Sequence, residues 1–296
     1  MTDLVVRRLL VDLTTPFAQR WNGGDAFRSA FFNALSMSFP WGEQYFMDSV
    51  RACYKTLPPA EQEKYAKEVQ GFVGQEATHR RIHELFNAHL TRQGFANEIE
   101  VRAATRAKKA EHFDPRFHLA VTAATEHFDP RFHLAVTAAT EHFTAMFADW
   151  TLRHPEAFEG AEERLATLWL WHASEESEHR STAFNIYQAC GGSHKWRVRT
   201  FKLVSWIFIT DVLRQTVRNL WHDRSFFQWS TWRSAWRLLL ARDGLLRSNL
   251  PMWRDYLRPD FHPEQHDASK SQAWLRDNTR LFTPVKTASA TPATAT

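Results

Sequence analysis

Ten glycines in 296 residues, and apolar residues recurring at helical spacing through every long stretch, leave this chain little to fold into but helices. One helix is expected from about Asp25 to Tyr54, with a break at SFPWGE where Pro40 removes a backbone donor. LPPAEQEK reads as the start of a second helix, which runs on to stop near Gly94. RFHLAVTAATEHFTAMFADWTL supplies a third, and HPEAFEGAEERLATLWLWHASEESEHRSTAFNIYQACGG a fourth that ends at Gly191-Gly192. No convincing strand is visible. The expectation is an all-α bundle of four long helices over residues 25–192, preceded by an N-terminal segment (1–24). A Trp-rich helical extension follows (193–263), and then a largely disordered tail (264–296).

Composition narrows the function classes. Two cysteines, Cys53 and Cys190, make no disulfide framework and fit a reducing cytoplasm. The N-terminal stretch MTDLVVRRLLVDLTT lacks a signal-peptide pattern, and the longest apolar run, Leu203–Leu213, is too short to span a bilayer and holds Asp211. The expected location is therefore cytoplasmic or membrane-peripheral. Charge is uneven: Lys195–Arg258 holds 13 Lys/Arg against 4 Asp/Glu and carries most of the tryptophans. No nucleic-acid-binding motif accompanies that charge, so nucleic acid is not an expected partner. The segment 195–258 reads first as a helical cap whose aromatics pack on the bundle, and second as a peripheral contact to an anionic membrane. A small-molecule substrate and pairing into a homodimer complete the partner expectations.

The chemistry lies in spacing. Glu76 and His79 form one Glu-x-x-His pair, and Glu176 and His179 a second. Three residues apart on a helix, both members project from one face. A lone pair of this kind is usually a solvated helix face, but two on separate long helices are much harder to reach by accident. In bundles that hold two metal ions, two helices each give a Glu-x-x-His pair and the other two a Glu each. Glu43 and Glu141 fill those places, so the order along the chain is Glu, Glu-x-x-His, Glu, Glu-x-x-His. His172 shares the face of Glu176 and His179. His83, one turn after His79, is an eighth ligand or an outer partner that orients a ligand, with the outer role preferred. Glu175 competes with Glu176 for its place, and Glu178 reads as solvated. Mixed nitrogen and oxygen donors suit two ions of iron, with manganese or zinc as alternatives, better than magnesium or calcium. No phosphate-binding Gly-rich loop or nucleophile elbow is present.

A 15-residue unit, Glu111–Thr125, recurs unchanged at Glu126–Thr140, making a duplication over 111–140. Each copy carries Asp-Pro, a helix start, so one helix through both is not expected: Pro130 would clash with the carbonyl of Glu126. Glu111 falls just before a helix start and Glu126 just before a proline, whereas Glu141 lies deep in an uninterrupted helical stretch. Glu141 is thus the preferred ligand and Glu126 its rival. The first copy reads as an insertion in the connection before the third helix.

These stretches also resemble a known family. FFNALSMSFPWGEQYF, QEATHRRIH, TAATEHFTAMF, WHASEESEHRSTAFNIY and YLRPDFHP are similar to the bacterial predicted metal-dependent hydrolases, a family of the ferritin-like superfamily. The resemblance runs from about Val5 to Pro263 and implies a ferritin-like four-helix bundle. The ligand spacing, with H-x-x-x-E-x-x-H on the last helix, is also similar to the di-iron arylamine N-oxygenases. That likeness implies Glu43, Glu76, His79, Glu141, His172, Glu176 and His179 as ligands. The two resemblances imply different chemistry. The fold analogy favours an oxygen-activating di-iron oxidase or oxygenase acting on a small apolar or amphipathic substrate. The family label implies a dimetal hydrolase of an ester or phosphate. Metal binding without turnover is a third reading.

Overall fold

The computed structural model describes residues 4–111 and 130–285, apart from the side chains of 109–111. Helix α1 (Ala26–Tyr54) starts at Asp25, whose carboxylate accepts the Arg28 backbone N–H at 2.9 Å. It passes through Pro40 without the expected break. The proline removes the N–H that the Ser36 carbonyl would have accepted, and Asn87 Nδ2 donates to that carbonyl instead at 2.9 Å. Asn97 Nδ2 also donates to the Met37 carbonyl, at 3.0 Å. The Asn87 side chain thus repairs the ladder, and the helix continues to Glu43 and beyond.

Helix α2 (Pro59–Arg92) opens on a proline at its first position, and α3 (Glu98–Glu111) follows. Helix α4 (Pro130–Arg153) is described from the proline of the second copy onward. Residues 112–129 lie outside the described residues; they include the expected start at Asp114-Pro115 in the first copy and Glu126 at the head of the second. The fourth bundle helix is not one piece. Helix α5 (Glu163–His179) ends on His179, and α6 (Thr182–Ala189) resumes after a two-residue turn. Ser174 and Ser177 each hydrogen-bond the carbonyl four residues back, at 2.8 and 3.2 Å, a contact that bends helices. Helix α1 packs on α2 and α4, and α4 on α5 and α6, so the fold is an all-α helical bundle.

Helix α7 (His194–His222) lies along α1 and α4. It leads into α8 (Trp229–Leu239) and the short α9 (Leu245–Ser248) and α10 (Leu250–Asp255). Phe143, Phe184, Phe201, Tyr256 and Phe261 are buried together where this extension covers α4. Asp211, awkward in an apolar run, is buried against Arg102 (2.9 Å) and Arg106 (2.5 Å) of α3.

Two corrections concern the chain ends. Strand β1 (Arg7–Leu9) pairs antiparallel with β2 (Phe282–Pro284), a two-stranded clip where no strand was expected. The segment expected to be disordered from residue 264 carries helix α11 (Ser269–Asp277), which packs on α5, with Ser271 Oγ donating to the Ser174 carbonyl at 2.7 Å. Polar composition misled because the order comes from partners distant in sequence. Residues 286–296 lie outside the described residues. Gly71 and Gly74 on α2 make room for the N-terminal segment. A Cβ at Gly71 would lie 2.5 Å from Leu4 Cβ, and one at Gly74 would overlap Val6.

Candidate metal centre

Each bundle helix turns an acidic or imidazole side chain into its apolar seam. On α4 the buried positions Leu134, Ala138, Glu141, Ala145 and Ala148 follow one helical face, with the glutamate in its middle. On α2 the buried face runs Phe72, Glu76, His79, His83, Phe86 and Leu90; on α5 it runs Leu165, Leu168, His172, Glu176 and His179. Glu43 is buried on α1 below the repaired proline turn.

These side chains meet in two groups. Glu76, His79, Glu176 and His179 offer donor atoms that all lie within 4.8 Å of one another, and so do Glu43, His83 and His172. Glu141 joins the first group, its Oε2 lying 3.4 Å from His179 Nε2. Glu176 faces both: Oε1 is 2.8 Å from His172 Nε2, and Oε2 is 3.6 Å from His179 Nε2. His83 lies beside His172. Its Nε2 is 2.6 Å from His172 Nδ1, and Ser36 Oγ holds its Nδ1 at 2.9 Å.

The donor set fits metal ions. Both oxygens of Glu43, Glu76 and Glu141, with Glu176 Oε2, His79 Nδ1 and His179 Nε2, are buried and make no hydrogen bond. Each such atom costs about 1–3 kcal/mol unless something else satisfies it. His179 Nε2 faces Glu76 Oε1 at 3.1 Å, Glu141 Oε2 at 3.4 Å and Glu176 Oε2 at 3.6 Å, with hydrogen-bond geometry to none. Donors held by one ion at about 2.0–2.1 Å lie about 3.0–3.4 Å from each other, which is close to this spacing. The buried carboxylates and imidazoles could hold two metal ions.

The two Glu-x-x-His histidines are oriented from behind. His79 Nε2 donates to Glu175 Oε2 at 3.1 Å, and His179 Nδ1 to Gln75 Oε1 at 3.0 Å, leaving the other nitrogen of each ring facing the carboxylates. Both lines end on Arg7. Its guanidinium donates to Glu175 Oε1 at 3.0 Å and to both oxygens of Glu178 at 2.6 and 3.0 Å, while Gln75 Nε2 donates to Glu178 Oε2 at 2.9 Å. Glu175 is therefore the outer partner of His79, and Glu176 is the residue in the donor group. Glu178, expected in solvent, is tied into the same network. Sequence reasoning missed Arg7 and Gln75. The only available signal was Gly71 and Gly74, three residues apart on α2, which admit Leu4 and Val6 just before the strand carrying Arg7.

Burial and the close approach of carboxylates and imidazoles shift the ionisation of this cluster. Burial raises Glu43 well above the usual carboxylate range, and the neighbouring Glu76 and Glu176 push it further. Burial raises Glu141 likewise, against the pull of His179. Glu176 goes the other way: burial opposes its charge, but His179 and His172 outweigh it and hold the carboxyl well below normal. Burial alone would depress His79, yet Glu175 and Glu176 raise it to about 9. His179 is raised by Glu176 and Glu141 against the same penalty. Burial, reinforced by His79, lowers His172 to about 4, and burial with His172 and His79 lowers His83 well below its ordinary value.

A cleft of about 220 Å³ opens beside this network, lined by Leu4, Tyr65, Glu68, Glu178, Asn185 and His262 among others. It reaches the outer carboxylate Glu178, not the donors. Aromatic rings close on the imidazoles: Trp171 meets His79 edge-on at 5.2 Å, Phe72 meets His179 at 5.1 Å, and Phe39 lies 4.8 Å from His172.

The family model described as "predicted metal-dependent hydrolase" matches the chain in two stretches, residues 5–129 and 128–267, which meet inside the second copy of the repeat. No curated protein and no solved structure matches it.

Proposed function

We propose, from the premise that the chain belongs to the predicted metal-dependent hydrolase family, that the buried cluster is a dinuclear centre that hydrolyses an ester or phosphate bond. The observation that carries the metal reading is the set of nine buried donor atoms without hydrogen bonds, converging from four helices. In this reading Glu76, His79, Glu141 and His179 hold one ion, Glu43, His83 and His172 the other, and Glu176 spans both. Bound there, divalent ions would supply Lewis acidity and bring the pKa of a coordinated water toward about 7. The chain's own contribution is to fix geometry and exclude bulk water. Arg7, through Glu175 and through Gln75 with Glu178, sets the ring orientations of His79 and His179. Phe72, Trp171 and Phe39 keep solvent from the imidazoles.

One observation favours a second reading. The order Glu, Glu-x-x-His, Glu, Glu-x-x-His on four packed helices is the arrangement of di-iron and di-manganese carboxylate bundles, which supports iron and oxygen activation on a ferritin-like fold. Loading the protein with zinc, manganese or iron separates the two. Turnover of p-nitrophenyl ester or phosphate by the zinc or manganese form, lost in Glu76→Ala, supports hydrolysis. Reductant-dependent oxygen consumption by the iron form alone, without hydrolysis by any form, would overturn it in favour of the second.

A further inference from the structure

The cap does not bury all its aromatics. Along α7, Leu203, Trp206, Leu213, Val217 and Trp221 recur at steps of three, four or seven residues, so they share one helix face, and all are exposed. Trp206 is 70% exposed and Trp221 62%. On α8, Trp229 (79%), Trp232 and Trp236 (60%) form a second exposed stripe. The turn between the helices joins the two: Trp221 contacts Phe227 at 5.5 Å, Phe227 contacts Phe226 at 5.2 Å, and Phe226 contacts Trp232 at 5.2 Å between ring centroids. Phe227, at the junction, is 83% exposed. An apolar face this continuous, on a chain that otherwise buries its aromatics, marks an interaction surface.

Charge identifies the occupant. Between Lys195 and Arg242 there are ten Lys/Arg and two Asp. Neither Asp offsets the face: Asp211 is buried against Arg102 and Arg106, and Asp223 is held by Arg20 at 2.8 Å. Lys202, Arg214, Arg233 and Arg237 are exposed beside the aromatic stripes. A second copy of the same face would bring like charge against like charge. An anionic lipid surface offers opposite charge together with the interfacial depth that tryptophan rings occupy. No helix among the described residues is long and apolar enough to cross a membrane, so the contact would lie in the plane of the surface.

We propose that the α7–α8 face docks the protein on anionic bilayers, with Trp206, Trp229 and Trp236 entering the headgroup boundary and the flanking arginines contacting lipid phosphates. The proposal is independent of which reaction the metal centre carries out. The test is flotation with vesicles of phosphatidylglycerol and phosphatidylcholine in equal parts, beside vesicles of phosphatidylcholine alone, with tryptophan emission recorded. Binding to the anionic vesicles with a blue shift is expected, weakened by high salt. The variant Arg233→Glu/Arg237→Glu should bind at least about fivefold more weakly per arginine. Trp206→Ala/Trp229→Ala/Trp236→Ala should bind about tenfold more weakly or worse. These residues are exposed, and unchanged circular dichroism and metal content show that each variant folds. Failure to float with anionic vesicles at low salt, or undiminished binding by the triple variant, overturns the proposal. So does a dimer of the free protein that the triple variant abolishes, since a second copy would then cover the face.

Discussion

Arg7 shows how much of the site is held by residues that are not donors. Its guanidinium contacts Glu175 and Glu178, and through them and Gln75 it fixes the nitrogen that each Glu-x-x-His histidine presents. Arg7→Ala leaves Glu175 and Glu178 without this partner, and metal affinity is expected to fall about 10- to 100-fold, with Arg7→Lys intermediate. A cobalt competition titration measures it; affinity within twofold of the parent would count against the orienting role. Protonation gives a second prediction. His79 is raised to about 9 from 6.5, so the folded metal-free protein holds a proton that the unfolded chain releases near neutrality. Glu43, Glu141 and His179 are raised as well and act in the same direction. Their stabilisation is lost as pH rises, so the metal-free protein should melt lower at pH 9 than at pH 7. The metal-loaded protein should not, because deprotonated ligands bind ions more tightly. Thermal melts of both forms check the sign. At this scale the donors were legible because a helix converts spacing into a shared face. Arg7 was not, since nothing local to residue 7 announces a partner some 170 residues away.

Among the elements, the helices were readable and their interruptions were not. Pro40 was expected to break α1, but Asn87, which only the packed structure brings near, donates to the carbonyl that the proline leaves open. The last bundle helix was expected to be continuous and instead stops at His179, the final residue of α5. Of the duplication, only residues 130–140 of the second copy are described beyond Glu111; there α4 carries Glu141 into the buried seam. Deleting 111–125 restores the same local sequence with one copy, so metal content and melting temperature are expected to match those of the parent. Loss of metal in that deletion, measured by elemental analysis, would show that the first copy takes part. The N-terminal strand gives the fourth prediction. Alanine normally stabilises a helix by about 1 kcal/mol over glycine. Gly71→Ala should nonetheless destabilise, because its Cβ would press on Leu4 at 2.5 Å and also meets that residue's backbone oxygen at 3.0 Å. A raised urea midpoint in this variant would mean that the strand yields freely.

For the whole molecule, β1 pairs with β2 across most of the sequence, and β1 delivers Arg7 to the back of the buried carboxylate and imidazole cluster. The all-α class followed from periodicity and scarce glycine, while the order after residue 264 did not, because α11 gains its stability from α5 rather than from its own polar sequence. Four helices carry the donors, Arg7 of β1 contacts the carboxylates behind them, and the extension presents an aromatic, basic face outward. Whether the buried cluster holds two ions decides what the protein does. Elemental analysis of the purified protein beside Glu76→Ala and His179→Ala tests it most directly. Two transition-metal ions per chain are expected in the parent and one in each variant. A parent with no bound metal, or metal content unchanged in both variants, would contradict the account.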